Sequence, residues 1–222
     1  MADGPRRTGL RRPRRGAQGR GRTPHPALLH GGRRLALHVT LEGRRVRLEP
    51  LEPRHEDELW AAAQDPRTWR WMRFNGYEPD EFRRWWASVD LGFAHYLDMK
   101  LVGHTSFLND RPEDRVVEIG NTWLNPRAWG TDANTEAKYL LMRHAFEDEG
   151  YLRVEFKTDA ANERSRRALE NVGATFEGVA RKHQLVRGGE RRDSAWYAVI
   201  DDDWPEVKAS LERRLGWTDT SW

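Results

Sequence analysis

Apolar positions along the chain change period repeatedly, and the changes predict its elements. Val46, Leu48 and Leu51 suggest a first strand, fed by a turn at Glu42 and Gly43. Pro53-Arg54-His55-Glu56-Asp57-Glu58 opens a helix to about Gln64, its early acids suiting the positive end of the helix dipole. A second helix over 79–89 has Pro79 in its first turn and Phe82, Trp85, Trp86 and Val89 on one side. Strands over 92–97 and 101–108 join through Asp98-Met99-Lys100, and another strand covers 115–124. Helix 133–149 puts Ala137, Leu140, Leu141 and Ala145 on one buried face. Gly150 ends it as a left-handed residue. Residues 153–158 alternate with period two, and a short helix over 162–172 stops at Gly173. Strands 175–186 and 191–200 form a hairpin around Arg187-Gly188-Gly189-Glu190. A last helix begins at Asp203-Trp204-Pro205, with Asp203 as its cap and Pro205 in the first turn. This order is that of a mixed α/β domain. The single crossover through helix 133–149 sets its flanking strands parallel.

Charge divides the chain. Residues 1–40 hold ten Arg, no Lys and one acid, leaving 28 basic residues against 34 acids in residues 41–222. The basic excess therefore belongs to the N-terminal segment, and no polyanion-binding claim rests on the whole-chain charge. Residues 1–38 read as a disordered Arg-rich tail, too poor in apolar residues to offset their ordering entropy. Weak contact with RNA or the ribosome is the functional alternative for that tail. The chain has no cysteine, so no disulfide framework or thiolate metal site is available. His95, His104 and His144 lack ligand spacing, and no metal is expected. No apolar run approaches the ~18 residues of a membrane span, so a cytoplasmic protein without membrane contact is expected.

The chemistry concentrates between Glu118 and Gly178. Strand 115–124 breaks at Pro126, a turn bearing Gly130 follows, and a helix begins at once. Such a helix start aims free backbone N–H groups and the positive dipole end at one point, where an anion is expected.

The order of elements, the turn Arg127-Ala128-Trp129-Gly130-Thr131-Asp132-Ala133 with the following Asn134-Thr135-Glu136-Ala137-Lys138, and the later Asn162-x-x-Ser165 together resemble the GNAT N-acetyltransferase superfamily, in its RimJ/RimL-like branch. The similarity covers about residues 40–215, within an expected domain of 39–216 followed by a short tail over 217–222. It implies the GNAT acyl-CoA N-acyltransferase fold, a central twisted mixed sheet of six to seven strands with flanking helices. Acetyl-CoA is the implied co-substrate.

The turn looks like the family's Arg/Gln-x-x-Gly-x-Gly/Ala pyrophosphate loop. The resemblance thus gives Trp123, Leu124, Arg127, Ala128, Trp129, Gly130, Thr131, Asp132, Ala133 and Asn134 as cofactor-binding residues, joined by Asn162 and Ser165 along the pantetheine arm. Asp132 departs from the pattern, which has Gly or Ala there. Its carboxylate is repulsive beside a pyrophosphate unless it turns to solvent, and capping helix 133–149 is the alternative use. Glu118 is placed facing the acceptor as a general base, against the plain reading of a solvated or salt-bridged strand residue. Ser165 and Tyr197 compete as general acid, the phenol with its pKa of ~10 being the better match to a thiolate. Asn162 also reads as an N-cap. Arg164, Arg166 and Arg167 reach a 3′-phosphate or form a solvated helix face.

Trp69, Trp71 and Phe74 are the acceptor-side candidates, in a region where Trp60 and Trp85 read as core. The implied reaction moves an acetyl group to a primary amine, on a protein N-terminus or a small molecule, by direct attack in a ternary complex. A catalytically weak acyl-CoA-binding or ribosome/RNA-associated module is the alternative. By analogy the protein is a monomer or a homodimer.

Overall fold

The computed structural model describes Met1 and residues 36–217. The basic stretch before Ala36, with the disordered tail expected there, lies outside the described residues. Among the described residues eight strands form one sheet: β1 (Leu41–Glu42), β2 (Val46–Pro50), β3 (Leu91–Leu97), β4 (Lys100–Arg111), β5 (Val116–Leu124), β6 (Arg153–Asp159), β7 (Thr175–Leu185) and β8 (Arg191–Ile200). Their spatial order is β1-β2-β3-β4-β5-β6-β8-β7. All neighbours are antiparallel except β5 and β6, which flank the crossover. The count passes seven because the expected turn at Glu42 is the end of a two-residue strand.

The sheet is flanked, among the described residues, by the helices α1 (Glu56–Ala62), α2 (Pro79–Ser88), α3 (Ala133–Arg143), α4 (Glu163–Asn171) and α5 (Trp204–Arg214). Asp98 and Met99 both take positive φ, 47° and 63°, so β3 and β4 are joined by the two-residue turn that a right-handed twist favours. Helix α3 is shorter than its apolar pattern suggests, because His144–Asp148 widens into a π-turn. His144 is held from both sides there: Nδ1 meets Asp148 Oδ2 at 2.7 Å and Nε2 donates to the Ala36 carbonyl at 3.0 Å. Gly150 still closes the segment, at φ 67°.

Packing reaches residues just outside the expected domain bounds of 39–216. Leu37 is fully buried, and His38 Nε2 donates to the Gly92 carbonyl at 2.7 Å, so packing begins before Val39. At the other end Trp217 is buried edge-on against Tyr139, with ring centroids 4.9 Å apart.

Strand alternation divides the core in two. Phe93, Phe107, Val117, Ile119, Val154 and Phe156 pack under α3 and α5 with Leu140 and Leu141. On the other face Leu59, Phe82 and Trp85 from α1 and α2 enclose Trp69 and Trp123. Trp69 and Trp123 lie 4.9 Å apart, and Trp85 stands edge-on to Trp123 at 5.4 Å. Among the described residues no helix is long and apolar enough to cross a membrane.

Candidate active site

The site exists because two parallel strands stop pairing. β5 and β6 keep register only from Val116 with Arg153 to Glu118 with Glu155. Beyond that point β5 bends. Gly120 faces Ser106 and Trp123 faces His104, so Asn121 and Thr122 together stand opposite Thr105 on β4. Asn121 takes φ 50°, and the extra residue forms a bulge, which kinks and twists a strand. The Thr105 and Thr122 hydroxyls meet at 2.8 Å, and His104 Nδ1 donates to the Asn121 carbonyl at 3.1 Å. Burial lowers His104 to about 4, so the ring is neutral and can also accept from the Ser106 hydroxyl at 3.2 Å. A wedge opens between β5 and β6.

The first of two cavities, about 270 Å³, runs from this wedge to the start of α3. Its walls are Thr122, Trp123 and Leu124 of β5, the turn from Ala128 to Thr131, Asn134 and Thr135, and Asn162, Arg164 and Ser165 at α4. Local bonds shape the turn. Asn125 Oδ1 accepts from the Arg127 N–H at 3.0 Å, and Trp129 Nε1 donates to the Leu124 carbonyl at 2.9 Å. Thr131 Oγ1 donates to the Ala128 carbonyl at 2.7 Å and accepts from the Ala133 N–H at 3.2 Å. Gly130 supplies the positive φ of 75° that the turn requires. The N–H groups of Gly130, Thr131, Asp132, Asn134 and Thr135 then have no acceptor among the described residues. Free donors at a helix start, with its dipole behind them, suit an anion. Arg164 adds a full charge, its guanidinium 3.7 Å from the centre of the Trp129 ring. Burial holds that guanidinium below its ordinary pKa.

The second cavity, about 420 Å³, continues through the wedge and shares Trp71, Met72, Thr122, Asn162 and Ser165 with the first. Glu118 stands in it, 1% exposed. Its Oε2 accepts from Asn109 Nδ2 at 2.6 Å and from Lys157 Nζ at 2.9 Å. Register explains the pair: Glu118 faces Glu155, and Lys157 lies two residues on, on the same face of the sheet. Lys138 reaches the same space from α3, its Nζ 5.7 Å from the Phe156 ring. Burial brings this lysine down to about 8.

Most of the expected site residues therefore meet around one cleft: Glu118, Trp123, Leu124, Ala128, Trp129, Gly130, Thr131, Asn134, Asn162, Ser165, Trp71 and Phe74. Trp123 contributes main chain, since its ring is buried against Trp69 and Trp85. Asn162 is also the N-cap of α4, accepting from the Ser165 N–H at 3.2 Å.

Five expected residues stand outside both cavity linings. Tyr197 faces Phe156 in register, on the sheet face opposite Glu118, and lines neither cavity. Its hydroxyl donates to Glu170 Oε1 at 3.1 Å and accepts from Arg166 Nε at 3.0 Å. Trp69 is core: fully buried, it donates from Nε1 to the Ala63 carbonyl at 2.8 Å. Its ring lies over Gly76, where an added Cβ would come within 2.1 Å of it. Arg127 lines neither cavity, its Nε being bonded to Asn125 Oδ1 at 3.1 Å. Asp132 is exposed and makes no side-chain cap; Thr131 caps in its place. Ala133 is fully buried, with its N–H already used.

The sequence reading overlooked Thr122, Met72, Lys138 and Arg192 in the cleft wall. Lys138 alone left a trace, as a cation next to the apolar face of its helix.

A parted parallel strand pair with an amide-rich turn at its open end forms a cleft suited to an anionic ligand. Residues 45–175 match the family model described as "Acetyltransferase (GNAT) domain". The chain belongs to that family and is an acetyltransferase. It is 30% identical over 131 residues to the Bacillus subtilis (strain 168) protein named "Putative ribosomal N-acetyltransferase YdaF", covering 58% of this chain and 69% of that one. Among solved structures, a GCN5-related N-acetyltransferase from Brucella melitensis is 34% identical with a TM-score of 0.74, over 79% of this chain and 85% of that one. Mycobacterium smegmatis RimJ, solved in complex with CoA-disulfide, shares the fold at 21% identity and a TM-score of 0.70, over 82% of this chain and 96% of that one.

Proposed function

We propose that the protein transfers an acetyl group from acetyl-CoA to a primary amine, by direct attack with both substrates bound. The observation that carries this reading is the meeting of two differently lined cavities at Thr122, Asn162 and Ser165. The free amides of Gly130, Thr131, Asp132, Asn134 and Thr135, with Arg164, fit the diphosphate of the co-substrate, and Asn162 fits its amide-bearing arm. The co-substrate supplies an activated acyl thioester. Holding amine and thioester in line provides most of the rate, since well-oriented reactants reach large effective molarities.

The chain's own residues move the protons. Glu118 accepts the proton that the acceptor ammonium must shed before its nitrogen can attack, while Asn109 and Lys157 hold its carboxylate in place. Ser165 is the donor to the departing sulfur, because Tyr197 is turned to the other face of the sheet. The relative named as a ribosomal N-acetyltransferase supports a protein N-terminal amine as the acceptor. The non-catalytic alternative drew on Asp132, and an exposed carboxylate outside both cavity linings does not favour it.

The test combines calorimetric titration with CoA and a thiol-release assay across peptide N-termini and small amines. Binding of CoA together with amine-dependent thiol release is expected. CoA binding without release for any amine would leave only a binding module, and absence of CoA binding would remove the reading altogether. Asp132→Gly is expected to leave CoA affinity within about twofold, since the exposed carboxylate lines neither cavity and the backbone N–H is kept.

A further inference from the structure

The acceptor cavity carries a charge opposite to that of the domain around it. From residue 41 onward acids outnumber basic residues by 34 to 28. Yet the charged side chains lining this cavity are Arg73, Lys138, Lys157 and Arg192 against a single carboxylate, Glu118. Lys157 already engages that carboxylate at 2.9 Å.

The other three cations have no acidic partner within salt-bridge distance among the described residues. Lys138 is 6% exposed. Arg192 Nε is buried without an acceptor, and Asp159 and Glu118 act on it only through space. Asp159 itself accepts from the Ala161 N–H at 2.9 Å. Burying Lys138 and part of Arg192 without counter-charges is costly, so their presence at a cleft, with exposed Arg73 at its edge, points to a negative occupant.

The cavity also continues outward. An adjoining groove shares Arg73 and Phe74 with it and adds Arg84, Arg187 and Glu81. Glu81 is taken up by Arg84, and Arg187 is fixed to Asn75 Oδ1 at 2.6 Å. An occupant leaving the cavity thus passes along a cationic wall.

We propose that the acceptor is a peptide N-terminus followed by acidic residues, its amine beside Glu118 and its carboxylates against Arg73, Lys138 and Arg192. This rests on the acetyltransferase reading and narrows it. Polyamines and aminoglycosides meet like charge in the same place, which disfavours them as partners. The continuing groove favours an extended chain over a free amino acid.

The experiment uses the full chain and short peptides with acidic, neutral or lysine residues at positions two to four, alongside spermidine and free aspartate. Thiol release gives kcat/KM, and intrinsic tryptophan fluorescence reads peptide binding to the CoA-saturated protein without turnover. The acidic peptide is expected to exceed the neutral one by about tenfold at low salt and the lysine peptide to fall below both, with the gap closing as salt screens the charges. Arg73→Glu, on an exposed side chain, should invert the order. A best rate or tightest binding for the lysine peptide or spermidine, or no discrimination across the panel, would overturn the proposal. So would acetylation of free aspartate alone, or CoA binding without binding of the acidic peptide. Failure of CoA itself to bind would instead strike the acetyltransferase reading.

Discussion

Replacing Tyr197 with Phe distinguishes a hydrogen-bonded core phenol from a proton donor. The ring is fully buried and packs 5.3 Å from Phe176, contacts that Phe retains. What is lost is the hydroxyl, with its bonds to Glu170 at 3.1 Å and from Arg166 at 3.0 Å. A net hydrogen bond is worth about 0.5–1.5 kcal/mol, and one to a charged group about 1.5–3 kcal/mol. Glu170 is exposed and can return to water, which keeps the total near the bottom of that range, about 1–2 kcal/mol. With a urea slope of about 2 kcal/mol/M, the unfolding midpoint falls by about 0.5–1 M. Activity follows a different scale. Loss of a general acid costs about 10²- to 10⁴-fold, whereas the geometry here predicts kcat within about twofold of the unmodified protein. The assays are urea denaturation followed by circular dichroism and thiol release at saturating co-substrate. A drop in kcat beyond about a hundredfold, with folding and CoA affinity intact, would refute the placement of Tyr197 outside the chemistry.

Other substitutions probe the cleft directly. Ser165→Ala is expected to lower kcat by about a hundredfold or more with CoA affinity nearly unchanged, since α4 uses only its backbone N–H for capping. Glu118→Gln should cost about the same factor in kcat/KM, measured by thiol release with a peptide acceptor; an unaltered rate would remove the carboxylate from the mechanism. Lys138 titrates at about 8 in the fold against 10.5 for the free side chain, so its charge destabilises the fold fully below pH 8 and the penalty fades as pH rises towards 10.5. Lys138→Met should therefore stabilise the protein at pH 7 by up to about 3 kcal/mol, a gain that shrinks between pH 8 and 10.5 in denaturant titrations. Burial lowers His95 to about 3 and His104 to about 4, so the unfolded chain takes up the extra protons first. Their contribution is complete above pH 6.5 and is lost on acidification below it; His95→Leu should flatten that acid slope in urea midpoints.

The order of elements was legible because local signals agreed with the final packing. Alternation marked the strands, Gly150 and Gly173 ended their segments at φ 67° and 85°, and one crossover made β5 and β6 parallel. The turn with its unbonded amides was legible for the same reason, since a break, a glycine and a helix start are all local. Features decided by tertiary contact were not. Tyr197 and Trp196 are neighbours on opposite faces, and only the register with β6 puts Trp196 beside Lys157 and Tyr197 beside Phe156. Trp69 lies in a 3-10 turn that reads as loop, but the open space over Gly76 draws its ring into the second core. Arg127 satisfied the motif, yet its own turn claims it through Asn125, and Arg164 from a distant helix lines the cavity. Thr131 supplanted Asp132 as cap because its shorter side chain reaches both the Ala128 carbonyl and the Ala133 amide.

The five residues common to both chambers form a neck, and beyond it the two inventories do not overlap. Arg73, Phe74, Gln184 and Arg192 belong to one side only, Gly130, Asn134 and Arg164 only to the other. On the proposed assignment of the two chambers, divergence can therefore rewrite the choice of recipient while leaving the donor grip untouched, and an engineer grafting new recipients onto this scaffold can treat the two halves as separately editable parts.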